Sequence, residues 1–123
     1  MDARELRIDN WIQCRPKSST DKESGWRNIR VDAALIYAMC HSKPYFEHRY
    51  IPLTEEILLK CGFEKNIRED DFDYWTHKEI GEEIWQHDEG FCHNLCYGGD
   101  INYLHSLQNL FFAITGEELN IEL

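Results

Sequence analysis

The segment YLHSLQNLFFAITGEELNIEL, residues 103–123, decides the fold class. Leu104, Leu107, Leu110, Phe111 and Ile114 recur at spacings of three and four, the pattern of a helix that buries one stripe. Gly116 stands where a left-handed residue stops a helix, and Leu119, Ile121 and Leu123 then alternate as a strand does. Such a helix running straight into a period-two stretch points to an α+β protein, with the C-terminal helix packed on a sheet and a final strand after it.

Upstream, Gly98-Gly99-Asp100 turns the chain into that helix. The segments around FDYWTHK (72–78), EEIWQH (82–87) and FCHNLCY (91–97) read as three strands, with Asp88, Glu89 and Gly90 connecting the last two. An antiparallel meander is the economical topology. Before it, IPLTEEILLKCGF (51–63) specifies a short capped helix over 54–61. Thr54 is a good N-cap, Glu55 and Glu56 lie at the positive end of the helix dipole, and Gly62 can take the left-handed conformation that stops it. Leu53 and Leu58 form a hydrophobic staple across the start, and Phe63 can fold back onto Leu58 at the end.

The N-terminal part reads as a set of short strands. Leu6 and Ile8 alternate, Asp9-Asn10 is a bend, and Trp11–Cys14 is a second extended piece. RPKSSTDKESG (15–25) has no large apolar residue and reads as a solvated, mobile loop. Ile29 and Val31 resume the alternation. DAALIYAMC (32–40) fits a buried strand or a short helix, and pairing with an N-terminal strand favours the strand. Ser42-Lys43-Pro44 is a turn and YFEHRYI (45–51) a strand. No linker, repeat or low-complexity segment interrupts residues 1–123, so a single domain with one core is expected.

Composition narrows the class. A chain of 123 residues can bury roughly two-thirds of its unfolded surface without disulfides or metal. Its hydrophobic fraction of 42% excludes a disordered chain, and no apolar run approaches a membrane span. MDARELRIDN carries charges where a secretory signal needs an apolar run, so a cytoplasmic location is expected. Cysteines at 14, 40, 61, 92 and 96 follow no framework spacing and suit reduced thiols. The formal charge of −10 argues against binding a phosphate backbone. The converse idea, an acidic DNA mimic that occupies a DNA-binding protein, stays open, although acidic surfaces more often simply confer solubility.

Three blocks, ELRIDNWI (5–12), IPLTEEILLKCGFEK (51–65) and INYLHSLQNLFFAITGEEL (101–119), resemble a family of small uncharacterised proteins of Bacteroides and related gut bacteria, often encoded within prophages and other mobile elements. The resemblance covers about a third of the chain directly and implies origin and architecture. It transfers no activity and no catalytic residues. Where this chain has Asp9, the usual pattern has glycine.

Two groupings invite a metal reading. His87, Cys92, His93 and Cys96 are zinc-ligand types, but their spacing matches no finger or ribbon. On an extended strand Cys92 and Cys96 lie roughly 13 Å apart on one face, with His93 on the other beside Phe91, Leu95 and Tyr97. His77, Glu79, Glu82, Glu83, His87 and the acids at 69–73 are the types that hold a divalent ion for hydrolysis, yet they form no HExxH or related motif. A charged outer sheet face is the simpler account. Neither a nucleophile elbow nor another local signature of nucleophilic catalysis is present.

Trp11, Trp26, Trp75 and Trp85, with six tyrosines and six phenylalanines, are more large rings than a small core usually needs. Most should pack across a sheet, and some should form a protein-binding patch. Tyr103 and His105 suit a partner surface or helix-end packing. No catalytic, cofactor-binding or metal residue is assigned and no cofactor is implied. The sequence points to a non-enzymatic interaction module acting on a host or phage protein, with a small metal-dependent hydrolase and an acidic DNA mimic as alternatives.

Overall fold

The structure, a computed structural model, describes residues 6–16, 25–41, 46–67, 73–79, 83–87, 90–93, 101–121 and 123. The expected turns at 42–44 and 98–100, most of the loop at 15–25, and Asp88 and Glu89 lie outside them. The chain divides into two compact units, Met1–Ile51 and Pro52–Leu123.

In the first unit β1 (Trp11–Pro16) lies between β2 (Arg27–Arg30) and β3 (Phe46–Tyr50), antiparallel to both. Ile12 and Cys14 are buried while Trp11, Gln13 and Arg15 are only partly so, because successive strand residues face opposite sides. Leu6, Ile12, Cys14 and Val31 form the core cluster, and Leu35, Ile36 and Met39 pack against it from α1 (Ala33–His41).

That helix corrects the strand reading of 32–40. The Asp32 carboxylate accepts from the Leu35 N–H at 2.8 Å, as an N-cap does, and Ala33-Ala34 follow as strong helix formers. Both edges of β1 are already occupied, by β2 and β3, so it offers no further edge for pairing. Two more corrections concern β1. It extends to Pro16, so Arg15 and Pro16 pair with Glu47 and Phe46 rather than open a loop. The piece at Leu6–Ile8 is not a strand, because Asn10 takes both backbone groups of Arg7. The Asn10 N–H donates to Arg7 O at 3.1 Å, and the Arg7 N–H donates to Asn10 Oδ1 at 2.6 Å. The expected bend is present, and Asp9 adopts φ 75, a conformation glycine reaches more easily.

In the second unit Thr54 caps α2 (Glu55–Lys60), its hydroxyl accepting from the Ile57 N–H at 3.2 Å. Leu53, Leu58 and Phe63 are all buried around it, and Gly62 adopts φ 93. The expected meander is present with one strand more than foreseen: β4 (Phe63–Asn66), β5 (Tyr74–His77), β6 (Glu83–His87) and β7 (Gly90–Cys92), paired in sequence order. The strand expected over 91–97 is described only as far as Cys92, and residues 94–97 lie outside the described set. Lys65 joins α2 to β4 through a 2.6 Å bond to Glu55. That hydrogen bond holds the Glu55 carboxyl below its ordinary range and pushes Lys65 above its own.

The inner sheet face carries Phe63, Trp75, His77, Ile84 and Phe91, all buried. The Trp75 indole N–H donates to Gln86 at 3.0 Å, which satisfies its polar group. On this face lies α3 (Leu104–Thr115), which buries Leu104, Leu107, Gln108 and Phe111, while Leu110 and Ile114 are half-buried. Gly116 ends it at φ 74, its N–H donating to Phe112 O at 2.8 Å. The final strand is a correction: Leu119 and Ile121 are buried around an exposed Asn120, but no described strand follows α3. The alternation places two side chains in the core without forming a ladder.

Phe111→Ala should therefore destabilise the protein by about 3–5 kcal/mol, read from thermal melts. A loss under about 1 kcal/mol would mean that α3 is peripheral to the core.

Candidate functional site

The strand register separates Cys92 from His93 and His77 from Glu83. Cys92 pairs with Trp85 on the outer face of the four-stranded sheet, whereas His93 is buried beside Ile84 and Leu107. Cys96 lies outside the described residues, as does the side chain of His87. In the second grouping His77 is on the inner face and Glu83, paired with Thr76, on the outer. Asp73 is 3.6 Å from Lys65, and Glu82 and residues 69–72 lie outside the described set. Among the described residues no three His, Cys, Asp or Glu side chains converge on a point that could hold an ion.

His77 instead borders a polar cleft of about 270 Å³ with Lys60, Cys61, Lys78, Glu79, Glu117 and Glu118. Its ring stands edge-on to Phe63 at 5.1 Å and tilted against Phe111 at 5.1 Å. Its Nδ1 accepts from the Glu79 N–H at 3.3 Å, which places the proton of the neutral ring on Nε2. Nε2 sits beside Gly62, where a Cβ would lie 3.4 Å away. Glu117 and Glu118 reach the cleft because Gly116 ends α3 there. Burial pushes the Cys61 thiol up to about 12, which disfavours its thiolate. The cleft offers hydrogen-bond donors and acceptors.

The four tryptophans divide by position. Trp75 is buried, Trp11 and Trp26 are half-buried, and Trp85 is 43% exposed. Trp85 stands on the outer sheet face in a cross-strand row, Asn66–Tyr74–Trp85–Cys92. Tyr103 is exposed and stacks at 5.8 Å on the buried ring of His105.

The first unit carries a feature that whole-chain charge conceals. Opposite its helix-covered face, β1 and its neighbours present Trp11, Gln13, Arg15, Asn28, Arg30, Glu47 and Arg49. The Trp26 ring lies 4.6 Å from the Arg15 guanidinium and 4.2 Å from that of Arg49, and Arg30 lies 5.2 Å from the Trp11 ring. Arg15 pairs with Glu47 at 2.6 Å. Arg49 donates to Gln13 at 2.7 Å, and Gln13 donates to Asn28 at 3.1 Å. The sequence did contain a signal for this. Residues 1–51 hold nine basic and seven acidic side chains, residues 52–123 four and sixteen.

Iodoacetamide at mildly alkaline pH should modify the exposed Cys40 first and the buried Cys61 last, as read by peptide mass spectrometry. Equal rates at the two sites would contradict the burial of Cys61. Comparison with protein-family models, with curated proteins and with solved structures finds no match to this chain.

Proposed function

We propose that this chain is a non-enzymatic protein-interaction module, encoded by a bacterial prophage or other mobile element, that docks on a host or phage protein. The observation that carries the reading is Trp85, an indole 43% exposed on the sheet face opposite α3. Leaving so large an apolar ring in water forgoes burial energy, and tryptophan and tyrosine most often anchor interfaces. Tyr74 pairs with it across the strands, and Glu64 and Glu83 stand on the same face. With sixteen acidic side chains in residues 52–123, this unit suits a partner whose aromatic-binding pocket has a basic rim.

The mobile-element origin rests on the resemblance of the three sequence blocks. A cytoplasmic location belongs to the same reading and suits free thiols at Cys14, Cys40, Cys61 and Cys92. No described helix is long and apolar enough to cross a membrane. The metal-dependent hydrolase gains no support from a register that sends His77 and Glu83 to opposite faces.

Mass spectrometry of proteins co-purifying from the native host should identify a partner. Trp85→Ala should weaken its binding by about 2 kcal/mol, roughly thirtyfold. The same change should alter stability by less than about 1 kcal/mol, because the ring is exposed. If no partner survives washing while the protein hydrolyses an ester, peptide or nucleotide with added divalent metal, the interaction reading fails.

A further inference from the structure

We infer that the arginine–tryptophan face of the first unit is a binding surface for single-stranded nucleic acid. This goes beyond the protein-docking reading and concerns a different unit of the chain. Arg15, Arg30 and Arg49 project from one side of a three-stranded sheet, and α1 packs on the other side. Glu47 neutralises Arg15, whereas no carboxylate lies within ion-pair distance of Arg30 or Arg49 among the described residues. Among the described residues the face therefore keeps two guanidiniums without a carboxylate partner. At physiological salt, charges more than about 8 Å from these guanidiniums are largely screened from a ligand held there.

The remaining groups select the ligand class. Trp11 and Trp26 stand among the guanidiniums at 4.2–5.2 Å, and indole and guanidinium planes are the groups on which unpaired bases stack. Gln13 and Asn28, amides able both to donate and to accept, lie between them on the same face. Cations to track a backbone, π faces for bases and amides for base edges are the components of a sheet that binds single strands. An acidic peptide would use the cations and leave the rings idle. A duplex keeps its bases stacked inside and cannot use them either.

The test uses the full chain and a fluorescein-labelled oligothymidylate of about twelve nucleotides, within the site sizes single-strand binders show. Anisotropy should report saturable binding. The affinity should fall with salt at a log–log slope of about −1.4, the value for two neutralised phosphates on a single strand. Arg30→Glu should weaken binding at least about tenfold, since an exposed site on an edge strand can change charge with the fold intact, as a melt will verify. Arg49→Glu should do the same. Lys78→Glu, an exposed lysine of the other unit, should change affinity by less than about twofold. Absence of binding, or equal binding by wild type and folded Arg30→Glu, overturns the inference. Equally tight binding of a matched DNA duplex removes the stacking argument and overturns it too. Displacement of the oligonucleotide by polyglutamate at equal charge concentration would reassign the face to an acidic protein.

Discussion

Three rings in series hold the second unit together. Phe111 on α3 meets His77 on β5, and His77 stands edge-on to Phe63 at the start of β4. This stack decides which sheet face is inside, because a one-residue slip in either strand would turn its ring toward water and expose every alternate side chain with it. From that choice follow the burial of Trp75 and Ile84, the outward position of Trp85, and the separation of His77 from Glu83. Ile12 and Cys14 beneath α1 impose the same two-sidedness on the first unit, and the arginines on its far side are the complement of that core.

The sequence was most legible where local chemistry and periodicity agreed. Thr54 and Gly62 bound a helix without tertiary help, and the apolar stripe of α3 with Gly116 needs only its own spacing. The α1 segment is ambiguous in the sequence because its apolar run fits either period, and what decides it is the Asp32 cap together with a β1 that has no free edge to offer. β4 is hard to see in the sequence because Phe63, which folds back on the end of a helix, also opens a strand. Leu119 and Ile121 mark the limit of period-two reasoning: alternation guarantees alternating burial, whereas a ladder also requires a free neighbouring edge.

Function was less legible for a different reason. Nearness in sequence does not bring candidate ligands together: strand parity sends Cys92 and His93, and likewise His77 and Glu83, to opposite faces. Glu117 and Glu118, far from His77 in sequence, reach its cleft only through the fold. Charge suffered from averaging: a single figure of −10 merges a mildly basic segment with a strongly acidic one. Polar groups inside helical stripes, such as His105 and Gln108 on the buried side of α3, are likewise invisible to a hydrophobic pattern although they help define it.

The isolated bridge between Pro52 and Tyr103, reinforced by the Leu53 N–H donating to Asn102 O at 2.9 Å, ties together two points nearly half the chain apart. Everything from α2 through β7 is thereby enclosed in one closed loop. Each hairpin inside it closes a short loop at small entropic cost, while the bridge must close the whole at once. The order of assembly this implies is outward from the hairpins, with the bridge as the late clasp. New chain ends cut within the meander would leave the clasp intact, whereas removing either side of the bridge would free both ends of the loop.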